Sequence, residues 1–348
     1  MQGRVQAMQN RDRENLLRTC RRKRESAGER DREKAFIQNG SRVLEKLVAT
    51  SNGKPIPIHN FSYEELRTAT NDFDPHLIIH RNRWYKGYKG YIKDRIAFIK
   101  KATCDSAEEV FTDIAITVKV SDHKNVLKLV GCCLETEIVI LVYEFAGKGT
   151  LRDRFVVSDE PMTRQGRLKM AREIAHATSY LHTAFSRPII HTNINLDTVF
   201  VDQNDIPKLT GFSFSLIIPE GEIHVNDNWK RGMTTLFQCP NYFATGCITE
   251  KTDVYCFGWL LLELLTGKRC LDSWQIGPKL NVLSQFRNSP INTIVDPEIL
   301  AGEGRVGVEQ QLQAAMDLAF SCIVEDPIKR PTMVDVTKEL RRIERSIP

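Results

Sequence analysis

The chain has no apolar run long enough to cross a bilayer. Its longest, from Val254 to Leu265, is about a dozen residues and contains Glu263, which suits a buried helix rather than a membrane span. There is no apolar segment of signal-peptide type near the N-terminus, and Gln2 follows Met1 where N-myristoylation needs Gly, so the expected compartment is the cytoplasm. Nine cysteines include no C-x-x-C pair; an odd, scattered set argues against both a disulfide framework and a zinc site, and no metal is expected. No aromatic residue occurs in the first 34 positions, which counts against stacking on single-stranded nucleic acid. Those positions do hold 11 of the 49 Lys+Arg against 6 of the 44 Asp+Glu, so the rest of the chain is neutral. A solvated extension of mixed charge is the plainer reading of this basic arm. The alternative is peripheral contact with the inner face of the plasma membrane, with Cys20 among Arg18, Arg21, Arg22, Lys23 and Arg24 as a palmitoylation candidate.

What is present is a soluble globular composition, 41% hydrophobic and 27% charged over 348 residues. Residues 1–34 read as a flexible basic extension and 35–75 as a helical flank. Within the flank a helix is expected from about Arg32 to Val48, and a second opens at Ser62, with Glu65 at the capping-box offset. Short β-prone runs dominate 76–145, around Trp84–Tyr88, Arg95–Lys100, Val126–Leu134 and Glu137–Phe145, with a helix near Ala107–Val120. From Arg164 onward Leu168, Ala171, Ile174, Ala175, Thr178 and Leu181 recur at helical spacing, and 146–348 reads as helical. Strands followed by helices predict an α+β fold with a small β-rich part and a larger helical part.

Two segments carry the chemical signal: Ile190-His191-Thr192-Asn193-Ile194-Asn195, and Lys208-Leu209-Thr210-Gly211-Phe212-Ser213, with Asn193 and Gly211 18 positions apart. They resemble the His-Arg-Asp and Asp-Phe-Gly segments of protein kinases, in which one Asp accepts the substrate hydroxyl proton and the other holds Mg²⁺. Further landmarks resemble the intracellular domains of plant receptor-like kinases: Thr70-Asn71-Asp72-Phe73, Asn125 to Cys133, Leu141-Val142-Tyr143-Glu144-Phe145, Thr252 to Gly258, and Arg330-Pro331-Thr332-Met333. Lys34 to Gly40, Gly53 to Ile58 and the lost catalytic residues are similar to the plant ZRK pseudokinases, a group related to wall-associated kinases. The resemblance implies a two-lobed eukaryotic protein kinase-like fold, with an N-lobe over 76–145 and a C-lobe over 146–348.

Set against that pattern, the working positions are degraded. Leu77-Ile78-Ile79-His80-Arg81-Asn82-Arg83 contains no Gly where a phosphate-cradling loop needs backbone close to the ligand, although Arg81 and Arg83 offer charge to an anion. Lys100 is the nucleotide-binding remnant; its helix partner falls at Ile114, with Asp113 one residue earlier, and Phe98 stands where a small residue meets adenine. Asn193 cannot take up a proton, a loss of roughly 10²–10⁴ in rate for a positioned base. Thr198 and Gly211 supply no metal-binding carboxylate, and Asp202 and Asp205 are expected to face solvent. His191, Phe212, Asp253 and Arg330 are expected to be structural, with Asn241 leaving Arg330 a neutral partner at most and the activation segment loosened or re-routed. ATP binding is expected to be weak or absent, and no cofactor is expected. The resemblance further implies an immune adaptor that joins a coiled-coil NLR receptor to active receptor-like cytoplasmic kinases. The segment from Gly211 to Asn241, with Phe214, Leu216, Ile217, Ile218, Trp229, Leu236 and Phe237, about half of them expected to be core, is the candidate interaction surface. A weakly active or nucleotide-sensing serine/threonine kinase is the alternative.

Overall fold

A computed structural model describes residues 28–50, 58–82, 84–103, 107–156, 161–226, 239–267, 286–300 and 305–346. Two compact units emerge. The first holds the described residues up to Ala107 together with Val130–Val142, and the second holds Glu108–Leu129 and everything from Tyr143 onward.

The first unit is built on a six-stranded sheet of β1 (His59–Asn60), β2 (Ile78–Arg81), β3 (Tyr85–Ile92), β4 (Arg95–Ala102), β5 (Leu129–Cys133) and β6 (Ile140–Glu144), in the order β1-β5-β6-β4-β3-β2. β3 and β4 form an antiparallel hairpin from Tyr85↔Ala102 to Ile92↔Arg95, so alternate residues divide between two faces. Tyr88, Ala97 and Ile99 point into a core shared with Phe61, Leu66, Ala69, Cys133, Ile140 and Val142. Helix α1 covers 28–50 and α2 runs Tyr63–Ala69. The capping box at Ser62 forms as expected, with Ser62 and Glu65 satisfying each other's backbone N–H. Helix α1 starts earlier than expected, so residues 28–34 are helical rather than part of a flexible extension. Arg32 anchors that turn through Glu64, at 3.1 Å, and over the Tyr63 ring, at 5.2 Å. Residues 1–27, Cys20 among them, lie outside the described residues.

The second unit packs α3 (Ala107–Val120), α4 (Leu151–Val156), α5 (Arg164–Thr183), α6 (Pro240–Thr245), α7 (Glu250–Thr266), α8 (Ile291–Ile294), α9 (Pro297–Leu300), α10 (Arg305–Cys322) and α11 (Met333–Glu344) around one apolar core. The run from Thr252 to Thr266 is buried throughout α7, as expected of a central helix. Burial pushes the thiols of Cys132 and Cys322 up to about 12, which keeps both protonated. No helix among the described residues is long and apolar enough to cross a membrane. Two short ladders, β7 (Ile189–Ile190) with β10 (Leu216–Ile217) and β8 (Val199–Val201) with β9 (Pro207–Leu209), hold the segment that carries the chemical signal.

Candidate functional site

The loop between β7 and β8 is organised around one buried carboxylate. Asp253, in the first turn of α7, has no exposed surface. Its Oδ2 accepts from the His191 backbone N–H at 2.8 Å and contacts His182 Nε2 at 2.9 Å, while Oδ1 accepts from the Thr192 N–H at 2.7 Å. A buried carboxylate without such donors would be costly; with them it fixes two successive peptide units. Thr192 is held at φ +67°, and its hydroxyl donates to Phe214 O at 3.0 Å.

His191 is fully buried, and burial holds its pKa below the ordinary histidine value. Its Nδ1 accepts from the Asn193 N–H at 3.2 Å, so the neutral ring carries its proton on Nε2, which donates to Thr210 O at 3.0 Å. The ring therefore ties the loop to the strand after it and packs edge-on against Phe212, 4.9 Å between centroids.

At the chemical positions the oxygens are neutral and engaged locally. The Asn193 Oδ1 accepts from Asn195 Nδ2 at 2.8 Å, and the Thr198 hydroxyl donates to Asn193 O at 2.8 Å while accepting from Asn195 N at 3.1 Å. Gly211 sits at φ +85°, a conformation L side chains rarely adopt, and a Cβ there would meet Thr198 Cγ2 at 3.1 Å. Asp205 pairs with Lys148 at 2.6 Å, and Asp202 Oδ1 accepts from the N–H groups of Asn204 and Ile206. Asp202 serves its own turn, whereas the carboxylate of Asp205 remains about half exposed while pairing with Lys148. A divalent cation with nucleotide, which a kinase site implies, wants oxygen ligands bearing negative charge, and the donor set of Asn193, Thr198 and Gly211 does not fit it.

Two residues that sequence reasoning undervalued take structural roles. Asp113, fully buried in α3, accepts from the Phe212 N–H at 3.2 Å, the Ser213 hydroxyl at 3.1 Å and the Thr117 hydroxyl at 3.2 Å. The start of the segment is thus pinned by a carboxylate one residue before Ile114, which is itself core. The signal was the Asp113/Thr117 pair at i, i+4 together with Ser213, where a glycine would have offered no hydroxyl. The second is Cys239. Arg330, 2% exposed, donates to Val324 O at 2.7 Å, Glu325 O at 2.9 Å and Lys251 O at 3.1 Å, contacts Cys239 Sγ at 2.8 Å, and lies 4.9 Å from the Tyr255 ring centroid. Carbonyls, a ring and a sulfur take up the guanidinium, so the missing carboxylate at Asn241 leaves Arg330 fully engaged.

In the first unit, Lys100 Nζ lies 4.6 Å from the Tyr85 ring centroid. Phe98 shares that face of the hairpin and is 1% exposed; its ring is so close to Gly87 that a Cβ there would meet Phe98 Cε2 at 2.3 Å. At the glycine-free turn, Asn82 Oδ1 accepts from the N–H groups of Trp84, at 2.8 Å, and Tyr85, at 2.9 Å. The amides that a phosphate cradle would present are taken by the turn's own side chain. Of the candidate interaction surface, Ile218 is buried, Leu216 and Ile217 pack against the core, and Trp229, Leu236 and Phe237 lie outside the described residues.

A sheet unit bearing a lysine and a helical unit bearing the loop around His191 are those of a protein kinase fold, and the family of protein tyrosine and serine/threonine kinases matches residues 79–340. The chain belongs to that family. It is similar to Serine/threonine-protein kinase ZRK1 of Arabidopsis thaliana, at 38% identity over 92% of this chain and 95% of that protein, and to Non-functional pseudokinase ZED1 of the same plant, at 37% over 89% and 96%. Wall-associated receptor kinase 4, also of Arabidopsis thaliana, is 32% identical over 90% of this chain but 43% of its own length. The relatives thus include both proteins named as kinases and proteins named as non-functional pseudokinases.

Proposed function

We propose that the chain is a catalytically inactive kinase fold that works as an adaptor in plant immune signalling, joining a coiled-coil NLR receptor to active receptor-like cytoplasmic kinases in the cytoplasm. The observation that carries the inactivity is the set Asn193, Thr198 and Gly211: no carboxylate stands at any of the three, and the Asn193 and Thr198 oxygens are bound to neighbouring groups of the same loop. Phosphoryl transfer asks a protein for positioning and for compensation of phosphate charge; this loop keeps positioning and offers no compensation. Asn82 and Phe98 oppose nucleotide binding in the same sense, one by occupying backbone amides and the other by filling the sheet face beside Lys100. The adaptor role rests on likeness to the ZRK proteins and on an intact polar frame around Asp253 that has no chemistry to serve.

The test is transfer of radiolabelled phosphate from ATP with Mg²⁺ or Mn²⁺, alongside titration of nucleotide with and without metal. No transfer above a Lys100→Ala control is expected, together with no metal-dependent binding. Transfer that disappears in Lys100→Ala would establish the weakly active kinase instead. Thermal stabilisation by ATP without turnover would establish a nucleotide-sensing switch. For the adaptor role, the expected result is co-precipitation of an NLR receptor and a cytoplasmic kinase that survives Asn193→Ala.

A further inference from the structure

The sheet of the first unit brings like charges together in a way the degraded nucleotide positions do not account for. Arg81 of β2 lies opposite Lys86 of β3, and Lys86 lies opposite Lys101 of β4. Residues directly opposite in a ladder share a face, so the three cations form one row. With strands about 4.8 Å apart, that row is roughly 10 Å long. It stands on the face that carries Tyr88 and Ile99 into the core, the reverse of the face bearing Phe98 and Lys100. Lys86 and Lys101 therefore stand on the reverse of the face that carries Lys100, while Arg81 lies in the glycine-free segment 77–83.

Like charges directly opposite each other destabilise a sheet, and here the arrangement occurs twice in succession. Among the described residues no carboxylate forms an ion pair with any of the three cations. Asp72 favours the charged form of Lys101, but its own ion pair is with Arg67 Nε, at 3.5 Å. The Lys101 ammonium lies 3.9 Å from the centroid of the Phe73 ring and is half-buried, and burial followed by the neighbouring Lys86 holds its pKa below the ordinary lysine value. Arg81 is exposed and Lys86 half-buried. The row is open to solvent at its Arg81 end, and an aromatic ring lies beside its Lys101 end.

We propose that Arg81, Lys86 and Lys101 form a docking site for a soluble polyphosphate ester of the inositol polyphosphate class. A single carboxylate carries too little charge to relieve three adjacent cations. Two phosphates held on a small ring match the length of the row and its charge, with the guanidinium of Arg81 forking onto one and the two ammonium groups acting as point charges on the other. A soluble ligand fits better than a flat anionic bilayer. The exposed apolar residues of the hairpin that a bilayer would take up, Tyr91 and Ile96, lie on the other face.

The experiment is thermal unfolding and titration calorimetry of the full chain with inositol hexakisphosphate, at two salt concentrations, for wild type, Lys86→Met, Arg81→Gln and Lys93→Gln. Wild type is expected to bind and to be stabilised, with affinity falling steeply with salt. Lys86→Met should raise the melting temperature of the free protein, because it removes both like-charge contacts, and weaken binding by about tenfold or more, the equivalent of about 1.4 kcal/mol. Arg81→Gln should weaken binding similarly, and Lys93→Gln, at the hairpin turn, should leave it unchanged. Absence of stabilisation in wild type, or equal binding by wild type and Lys86→Met, overturns the proposal. So does row-dependent capture by vesicles containing phosphatidylinositol bisphosphate without binding of the soluble ester, since that assigns the row to a membrane.

Discussion

Around Asp253 a charged side chain is buried and satisfied on both oxygens, whereas at Asn193 and Gly211, in and just after the same loop, charge is absent and the remaining oxygens turn to one another. The difference separates two demands that an active kinase makes of a single region. Holding the backbone of the loop requires Asp253, His182 and His191, and those groups are interlocked, so removing one leaves several others unpaired. Holding the metal ion that compensates phosphate charge requires carboxylates that face it and serve no fold contact. The chain holds the first set and carries no carboxylate at positions 193, 198 and 211.

Substitution can break or sharpen that contrast. The largest effect is expected from Asp253→Ala, which leaves the His191 and Thr192 amides and His182 without their acceptor; loss of about 3–5 kcal/mol in urea unfolding is expected. Next comes acid. His123, whose Nε2 lies 3.0 Å from His176 Nδ1, is held down to about 4 by burial, with His176 and Lys124 adding to the effect, and His176 is lowered in the same direction by burial. The unfolded chain takes up these protons near the ordinary histidine value and the folded chain resists. Stability is therefore complete above about pH 6.5 and falls as pH drops toward 4, by about 1–3 kcal/mol, levelling off below. Urea midpoints measured from pH 7 to pH 4 should show that slope in wild type and a flatter one in His123→Gln.

Smaller still is Gly211→Ala, where a Cβ at φ +85° costs about 1–2 kcal/mol. Asn193→Ala, losing one partly exposed hydrogen bond, should cost about 1 kcal/mol or less. An Asn193→Ala penalty as large as that of Asp253→Ala would mean that the chemical position had been absorbed into the frame, and the contrast would fail.

The order of elements, the buried run of α7, the Ser62 capping box and the neutral residues at 193, 198 and 211 were legible from sequence because each depends on local periodicity or on the identity of one residue. The early start of α1 was not, because Glu64 and Tyr63, which anchor Arg32, are about thirty residues away along the chain. Arg330 shows the same limit from the other side: that it would meet only neutral partners was legible from Asn241, but which ones, three carbonyls and Cys239, was not. Asp113 read as a displaced helix residue and proved to be the acceptor for Phe212 and Ser213.

Chemistry that needs a charged group was decided by sequence alone, since no fold can supply a carboxylate that the residue lacks. Which neutral or charged group satisfies which partner was decided only in the tertiary structure, because hydrogen bonds and ion pairs depend on distances between residues that sequence separates. The row of Arg81, Lys86 and Lys101 belongs to that second kind: three unremarkable cations until the register of β2, β3 and β4 sets them side by side.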